Sequence, residues 1–356
     1  MLVFGAILGL SSFYLHQLTS TLDAVAVEVF NPELARQAIS EAPVTGPPGS
    51  IVFDIELDPD PDPRDPRLLY PAASGVPIPD EEFDSYLLLG TDASGFLADT
   101  IILALQPTRG GAPIMVSLPR DLYVWNLCKK RFSRLNEGLG GCPGTASGSE
   151  LMAIMVEDYT GIPVDHLARI DFDGFSRVVD VMGGITVCVD HPTRDANAGL
   201  EIAEAGCQVV SGTVALAWVR SRNTEQFIDS QWRRVAASDF ARQRRQQDVL
   251  FQLAGKAASF SSPASLATRL GAVASSVRLD SSWTFTQAVS AGWRYRGINR
   301  DSVRRFTVDA SNFRSPERAL VLLPDRTFTE QLDEVYPLEG INGSEPEAEE
   351  TREHNL

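Results

Sequence analysis

Short apolar runs separated by polar turns fill the middle of this chain, and they predict buried β-strands. Runs of about four to eight apolar residues between turn signals are typical of strands that are covered on both faces. Such strands are expected at residues 86–90, 100–105, 113–118, 122–125, 166–171, 185–190 and 303–308. An earlier run, Val25-Ala-Val-Glu-Val-Phe30, predicts one more strand.

Predicted helices alternate with these strands. One helix is expected over residues 148–160, with Ser147 or Ser149 as its N-cap and Gly161 as its stop. Other helices are expected near residues 32–40, 173–182, 211–220, 234–259, 263–276 and 284–292. This alternation predicts an α/β or α+β sandwich.

The two ends of the chain differ from its body. Residues 2–15 are apolar and uncharged, whereas a membrane-spanning helix needs about 20 such residues. We expect a transmembrane anchor over residues 1–18 whose start is lost or placed too late, and a buried or interfacial helix is the alternative. Residues 19–82, rich in Pro and Asp toward their end, are expected to form an extracytoplasmic linker or accessory segment. The compact domain is assigned to residues 83–338 and a disordered acidic tail to residues 339–356.

Charge is spread unevenly along the sequence. The 356 residues include 31 basic and 47 acidic side chains, for a net charge of −16. Much of the acidity lies in residues 54–66, 80–84 and 341–356, which suits solvated segments. Net negative charge argues against general nucleic-acid binding. A cationic cluster in such a chain is therefore expected to serve a particular anionic ligand.

Four cysteines, none in a Cys-x-x-Cys spacing, agree with an exported protein. Cys128 and Cys142 flank a Gly-rich loop, Cys188 ends one β-like run and Cys207 begins another. Of the three connectivities open to four cysteines, we predict Cys128–Cys142 and Cys188–Cys207. Each bridge should stabilise the fold by about 3 kcal/mol in the chain-entropy model. Four buried free thiols are the alternative.

Arginines are concentrated on two predicted helices. Arg220 and Arg222 lie at the end of the first, and Arg242 and Arg245 lie on the second. Each guanidinium can give a forked pair of donors to phosphate oxygens, so this density favours a di-anionic or poly-anionic ligand. Residues two apart on a helix diverge by about 200°. Arg220 and Arg222 can therefore face one ligand only if the helix ends near Arg220 and the chain then extends. A solvated charged face is the alternative.

Two carboxylates and one arginine lie at predicted strand ends. Asp92 follows one strand, Asp99 directly precedes the strand at residues 100–105, and Arg120 follows another. Carboxylates on adjoining strand ends can share a hard cation such as Mg²⁺. A capping or turn role for Asp99 and a structural ion pair for Arg120 are the alternatives.

Several short segments occur in a fixed order through the body. They are Leu89-Gly-Thr-Asp92, Ala98-Asp-Thr-Ile101, Ser117-Leu-Pro-Arg-Asp121, Asp171-Phe-Asp-Gly-Phe175, Val179-Asp-Val-Met-Gly-Gly184, Ala217-Trp-Val-Arg-Ser-Arg222 and Asp239-Phe-Ala-Arg-Gln-Arg-Arg-Gln-Gln247. This ordered set resembles the LytR–CpsA–Psr family, strongly over residues 83–260 and weakly to about residue 335. The resemblance implies an α/β fold: an α/β/α sandwich around a mixed central sheet, with an apolar lipid-binding pocket and a preceding N-terminal membrane anchor.

The resemblance also assigns roles to individual residues. The implied catalytic residues, mainly a clamp for pyrophosphate, are Arg120, Arg220, Arg222, Arg242, Gln246 and Asp239. Asp239 would orient an arginine or help as a base, and Asp92 and Asp99 would hold Mg²⁺. The chain departs from the family pattern at Leu97-Ala98, where an arginine is usual shortly before Asp99, and more mildly at Arg134, where a lysine is usual.

The implied activity is a Mg²⁺-assisted phosphotransferase that joins a polyprenyl-pyrophosphate-linked glycopolymer to peptidoglycan. The partners would be that lipid-linked glycan donor, the peptidoglycan acceptor and the membrane, with no nucleic acid. The protein would be a single-pass protein of the cell membrane with its catalytic domain outside the cytoplasm. A pyrophosphatase that releases the lipid phosphate to water and a non-catalytic envelope regulator or binding protein are the alternatives. The acidic balance, the apolar N-terminus and the cysteines oppose a regulator that binds DNA.

Overall fold

The computed structural model describes residues 26–41, 78–92, 94–235, 239–257, 271, 277–282 and 300–338. The described strands are β1 (Ala26–Glu28), β2 (Phe83–Thr91), β3 (Ala98–Pro107), β4 (Ile114–Ser117), β5 (Tyr123–Asn126), β6 (Arg131–Arg134), β7 (His166–Asp171), β8 (Ile185–Val189), β9 (Thr193–Asp195), β10 (Leu200–Ile202), β11 (Gly206–Val210), β12 (Glu225–Ile228), β13 (Gln231–Arg234), β14 (Val277–Asp280), β15 (Arg304–Thr307), β16 (Ala310–Arg314) and β17 (Leu320–Pro324). The described α-helices are α1 (Pro32–Glu41), α2 (Gly148–Thr160), α3 (Phe172–Val181), α4 (Gly212–Arg220), α5 (Asp239–Ala257) and α6 (Phe328–Asp333). Short 3₁₀ turns cover Leu135–Gly140 and Arg300–Ser302.

A mixed seven-stranded sheet forms the centre of the described fold, in the order β1-β14-β7-β2-β3-β4-β15. Strand β2 runs parallel to β7 and antiparallel to β3. Thr91 at the end of β2 lies opposite both Asp171 at the end of β7 and Ala98 at the start of β3. The loop that carries Asp92, the residue Asp99 and the start of α3 are therefore gathered at one end of the sheet.

Alternating side chains divide the fold into layers on the two sides of the sheet. Leu87, Leu89 and Leu103 are buried in one core cluster with the helices α1 and α2. Their neighbours Leu88 and Ile102 point to the other face, which is covered by α3, α4 and α5. The predicted sandwich with helices on both faces of a mixed sheet is confirmed.

The N-terminal unit of residues 26–41 packs on this same fold. Strand β1 extends the sheet by parallel pairing with β14. The Arg36 guanidinium bonds Asp158 of α2 at 2.6 Å, and the Asn31 backbone NH donates to Glu150 at 3.0 Å. Glu28 pairs with Arg169 of β7. Residues 26–41, which were predicted to belong to a linker or accessory segment, are therefore part of the folded domain.

Helix signals in the sequence are matched by the described caps. The Ser147 hydroxyl accepts from the backbone NH of Glu150, and the Glu150 carboxylate accepts in return from the backbone NH of Ser147. Gly161 ends this helix with a left-handed φ of 71°. The prediction of a helix over residues 148–160 with these two boundaries is confirmed, and Ser147 rather than Ser149 is the cap.

Several predicted segments fall outside the described residues. These are the anchor at residues 1–18, the tail at residues 339–356, and the helices near residues 263–276 and 284–292 apart from residue 271. Within the described ranges, no helix has both the length and the apolar character needed to cross a membrane.

Both predicted disulfides are present, Cys128–Cys142 and Cys188–Cys207. Cys188 on β8 lies directly opposite Cys207 on β11, so the second bridge joins the two strands of one antiparallel ribbon. The alternative of four free thiols is wrong, because all four cysteines are paired.

The turn between α3 and β8 offers a direct test of backbone packing. Gly183 and Gly184 both have a φ of 80°. A Cβ at Gly184 would lie 2.6 Å from the backbone oxygen of Val210, whereas a Cβ at Gly183 would meet no atom within 4 Å. We expect Gly183→Ala to lower the free energy of unfolding by about 1–2 kcal/mol through left-handed strain alone. Gly184→Ala should lower the free energy of unfolding by about 1–3 kcal/mol more, because its Cβ would collide with the Val210 backbone. Urea unfolding of both variants measures the difference, and equal losses would show that the Val210 backbone yields freely.

Candidate functional site

A cavity of about 450 Å³ lies between the central sheet and the helices α3, α4 and α5. Most of its walls are hydrocarbon. The apolar lining residues are Leu88, Leu89, Ile102, Ala168, Ile170, Phe172, Phe175, Val178, Ala198, Leu216, Val219, Leu250, Leu253 and Val277. Gly90 belongs to the sheet side of this lining, where a Cβ would come within 3.1 Å of the Thr100 Cβ. The missing side chain at Gly90 therefore helps to keep the cavity open.

The cavity is polar at one end and apolar at the other. Along α5 the lining changes from Arg242 and Gln246 to Leu250 and Leu253. Arg242 and Leu253 are about 16 Å apart along the helix axis, at about 1.5 Å per residue. Six of the residues singled out in the sequence line this cavity: Asp99, Arg120, Arg220, Arg222, Arg242 and Gln246.

Arg220 and Arg222 reach the same cavity because the helix that carries them stops between them. Helix α4 ends at Arg220, and Ser221 is extended, with φ −60° and ψ 127°. The predicted break in the helix is confirmed. The Arg220 guanidinium lies over the Phe172 ring, 4.4 Å from its centroid. An aromatic face stabilises a cation in this position, so α3 helps to fix the direction of Arg220.

Asp195 shapes the chain that carries Arg222. One oxygen of its buried carboxylate accepts from the Ser221 hydroxyl at 2.7 Å, from the Arg222 backbone NH at 2.9 Å and from the Asn223 backbone NH at 2.8 Å. The other oxygen accepts from the backbone NH groups of Asn197 and Ala198. Burial acts to raise the pKa of Asp195, but these hydrogen bonds outweigh it and hold the pKa below its ordinary value. The ionised side chain thus stabilises the extended turn after α4.

Helix α5 presents different arginines to different partners. Arg242 is 4% exposed and lines the cavity together with Gln246. Gln246 donates to the Val219 carbonyl at 3.3 Å. Arg245 instead donates to the carbonyls of Trp218 and Ser221, at 2.9 and 2.7 Å. Arg245 therefore braces the end of α4, while Arg242 and Gln246 of the same helix line the cavity.

Asp99 and Arg120 form an ion pair at the polar end. The Arg120 guanidinium also approaches Asp121 at 3.5 Å, and Asp121 approaches Arg134 at 3.4 Å. The alternative of a structural ion pair therefore describes part of the geometry of Arg120. Both Asp99 and Arg120 nevertheless line the cavity, so the pair is available to a ligand there.

Asp92 lies near the polar end but is not among the lining residues. Its Oδ1 accepts from the Ser94 hydroxyl at 2.6 Å, from the Ser94 backbone NH and from the Gly95 backbone NH. Burial acts to raise the pKa of Asp92, but these bonds outweigh it and lower the pKa below its ordinary value. Asp92 therefore stabilises the turn that follows β2. An ionised carboxylate with its Oδ1 in a turn can still offer its other oxygen to a cation.

The other residues named from the sequence are not among those that line the cavity. Asp239 is the first residue of α5, and its side chain lies outside the described set. Ala98, in the region where an arginine is usual, is fully buried, and Leu97 is 44% exposed. Arg134 donates to the Leu320 carbonyl at 3.0 Å and is not a lining residue.

Sequence reasoning missed the polar residues that arrive from β9 and from the turn after α4. Asp195, Asn197 and Asn223 all line the cavity. A single aspartate in Thr193-Arg-Asp195 carries no signal of its own, because its partners lie about 26 to 28 positions away in the chain. No group of three or more His, Cys, Asp or Glu side chains suited to a metal ion occurs in the described part of the chain.

Comparisons with known proteins agree with this geometry. The model of the LytR_cpsA_psr family matches residues 77–333. The chain is 36% identical over 157 residues to "Probable cell wall biosynthesis protein LcpB" of Corynebacterium glutamicum, a match that covers 44% of this chain and 36% of the relative. It is 27% identical over 201 residues to the polyisoprenyl-teichoic acid–peptidoglycan teichoic acid transferase TagU of Halalkalibacterium halodurans, over 55% of this chain and 60% of the relative. The chain thus spans only about a third to three fifths of these relatives.

A solved structure supports the same assignment. The LytR-Csp2A-Psr enzyme from Actinomyces oris superposes with a TM-score of 0.57 and 27% identity, over 73% of this chain and 93% of that one. The family model covers well over half of the sequence, and the cavity residues Asp99, Arg120, Arg220 and Arg242 fall within the matched range. The chain belongs to the LytR–CpsA–Psr family.

Proposed function

We propose that this protein transfers a glycopolymer phosphate from a polyprenyl pyrophosphate carrier to peptidoglycan. The observation that carries the proposal is one cavity that brings Arg120, Arg220, Arg222 and Arg242 together with a largely hydrocarbon lining. A cavity of this kind suits a ligand that is a lipid at one end and an anion at the other. The similarity to TagU, whose name describes transfer of teichoic acid from a polyisoprenyl carrier to peptidoglycan, supports the same reading.

The two ends of the cavity would bind the two parts of the donor. Burial of a prenyl chain along Leu88, Ile170, Phe175 and Leu253 releases about 25 cal/mol per Å² of apolar surface. The pyrophosphate would then lie among the arginines, since each guanidinium can give paired donors to phosphate oxygens. The lipid part would thus supply affinity, and the arginines would act on the reacting atoms.

The proposed reaction is attack of a sugar hydroxyl of peptidoglycan on the phosphorus that bears the glycan. A bond forms between that oxygen and phosphorus, the phosphorus–oxygen bond to the lipid phosphate breaks, and the lipid phosphate leaves. Negative charge grows on the leaving phosphate as its bond breaks, so arginines aimed at its oxygens stabilise the transition state more than the ground state. Asp239 at the start of α5 is the proposed acceptor of the hydroxyl proton.

Asp92 and Asp99 are the proposed ligands of Mg²⁺. They are hard oxygen donors on adjoining strand ends, and the lowered pKa of Asp92 keeps that carboxylate ionised, as a metal ligand must be. The two-carboxylate set fits Mg²⁺, which keeps several waters and relies on substrate phosphates for other contacts. When bound, the ion would neutralise charge on the pyrophosphate. Asp99, which lines the cavity, would be the ligand nearest the substrate.

Transfer of a labelled glycan from polyprenyl pyrophosphate to peptidoglycan strands tests both the reaction and its metal. We expect full-length protein in detergent to be active with Mg²⁺ and inactive in chelator. Asp92→Ala and Asp99→Ala should each lower the rate by about 100-fold or more. Asp325→Ala, an exposed carboxylate outside the lining, is the control. Full activity of both variants in chelator would make the two aspartates purely structural. Release of the glycan to water at the same rate with and without acceptor would favour the pyrophosphatase.

Lysine substitution separates pyrophosphate binding from a structural role of the arginines. Arg220→Lys and Arg222→Lys keep the charge but lose the planar fork, so the transfer rate should fall roughly 10- to 100-fold. Thermal stability should change little. Arg244→Lys, on an exposed position of α5 that does not line the cavity, is the matched control. Wild-type rates with a lowered melting temperature would refute the assignment of Arg220 and Arg222 to the substrate.

Asp195→Asn tests whether an ionised side chain sets the geometry of the arginine segment. The amide replaces one acceptor oxygen with a donor, so we expect a roughly tenfold slower transfer and a loss of about 1–3 kcal/mol of stability at pH 7. Because the folded pKa of Asp195 is lowered, its contribution is present above the unfolded pKa of about 3.9 and is lost as pH falls through the folded pKa. The stability difference from wild type should therefore shrink below about pH 4. Urea unfolding from neutral to acid pH measures it, with exposed Asp190→Asn as control. A difference that stays constant with pH would contradict the role of the charge.

A further inference from the structure

The sheet β10-β9-β12-β13 carries two large aromatic side chains on its solvent side. Phe227 and Trp232 are 40% and 38% exposed, and they lie opposite each other with ring centroids 5.4 Å apart. The solvent face of an antiparallel sheet is normally polar. Aromatic side chains held in such a place are typical of a surface that binds something.

The same face carries charged groups in a fixed arrangement. Glu225 and Arg234 are paired two positions from the aromatic pair, so they share its side of the sheet. Arg194 lies opposite Glu225 on β9, bonds it at 2.8 Å, and stacks over the Trp232 ring at 4.0 Å. We call these residues, Phe227, Trp232, Arg194, Arg234 and Glu225, the aromatic face.

The opposite side of β9 and β10 packs inward. Leu200 and Ile202 of β10 are each 3% exposed and belong to a core cluster with α4, and Thr193 and Asp195 of β9 are buried as well. The apolar side chains of β10 are therefore buried on that side. Phe227 and Trp232 pack on each other across the hairpin, but the buried core beneath the sheet does not require them on the outer side.

The aromatic face is tied to the polar end of the cavity. Asp195, the last residue of β9, holds the turn that carries Arg222. The Val235 backbone NH closes the base of the β12–β13 hairpin on the Thr224 carbonyl at 3.1 Å, and the Thr224 hydroxyl bonds the Ser221 hydroxyl at 2.7 Å. The surface is thus built on the elements that position the arginines.

We propose that the aromatic face binds the glycan strand that accepts the transferred group. This inference rests on the proposed function and names where its acceptor docks. One side of a pyranose ring presents C–H groups that lie flat on an aromatic ring, and its hydroxyls project around the edge. Guanidinium and carboxylate groups around Phe227 and Trp232 supply donors and acceptors for those hydroxyls. A strand held there would lie beside the arginine end of the cavity, where its hydroxyl has to meet the phosphorus.

The charges on this face favour a glycan over a membrane surface. Arg194 and Arg234 are balanced by Glu225 and by Glu201, which pairs with Arg194 across β9 and β10. An anionic lipid surface attracts segments with a clear excess of positive charge, whereas a neutral mixture suits a sugar. The apolar part of the cavity, which would hold the lipid, also lies at the end away from Arg242.

Acceptor kinetics of full-length protein test the proposal. We expect the double variant Phe227→Ala/Trp232→Ala to raise the KM for soluble, uncross-linked peptidoglycan strands about tenfold, with the KM for the lipid-linked donor unchanged. Trp232→Tyr keeps an aromatic ring and should retain most of the affinity. Leu320→Ala, at an apolar position of β17 that is 57% exposed, is the control and should behave as wild type. Melting temperatures show whether the hairpin stays folded, and assays run well below them separate binding from stability.

Equilibrium binding of the strands, followed by intrinsic fluorescence, keeps this inference distinct from the proposed function. If no transfer occurs but strands bind wild type about tenfold more tightly than the double variant, the reaction is wrong and the docking surface stands. An unchanged acceptor KM and unchanged strand affinity in the double variant would overturn the docking surface, even if transfer is normal. Loss of binding to vesicles of phosphatidylglycerol and phosphatidylcholine, with strand affinity intact, would overturn it in favour of a membrane contact.

Discussion

Repulsion among the arginines at the polar end of the cavity is the constraint on which the surrounding structure depends. Two unit charges about 4 Å apart repel by about 4 kcal/mol at an effective dielectric constant of about 20. Arg120, Arg220, Arg222 and Arg242 line one end of a partly buried cavity, so each needs a separate support. Asp99 forms an ion pair with Arg120, and the Arg220 guanidinium stacks on the Phe172 ring. These supports come from different elements, so the site forms only when the whole fold does.

The supports also explain why the chain is extended where a helix would otherwise continue. A continuous helix would send Arg220 and Arg222 in opposite directions. Asp195 prevents the helix from continuing, because it accepts hydrogen bonds from the backbone NH groups of Arg222 and Asn223. Arg245 donates to the Trp218 carbonyl near the end of the same helix. One carboxylate from β9 and one guanidinium from α5 thus fix the break from two sides. The position of Arg222 depends on pairings made far away in sequence.

The sequence predicted the parts of this arrangement that depend on local pattern. The strands that read as apolar runs, the helix from Gly148 with its cap, the break after Arg220 and both disulfides followed from periodicity, capping and spacing. Strands β9, β10, β12 and β13 were missed because they are short and largely polar and gain their order from pairing with one another. Asp195 was missed for the same reason. The turn that holds Asp92, which is built by hydrogen bonds from Ser94 and Gly95, was not predicted.

Charge balance connects the arginine end to the proposed substrate. The charged residues that line the cavity are five arginines and three aspartates, Arg120, Arg169, Arg220, Arg222, Arg242, Asp99, Asp171 and Asp195, so the lining has a net charge of 5 − 3 = +2. A pyrophosphate diester carries two negative charges, so the bound donor would neutralise the site. Cleavage leaves a phosphate monoester and a phosphodiester, which together carry more negative charge than the donor. In the proposed reaction this extra charge would develop among the arginines and near Asp99, the proposed Mg²⁺ ligand that lines the cavity. Because Leu97 and Ala98 contribute no guanidinium beside Asp99, neutralisation of that charge would rest on the lining arginines and on the proposed ion.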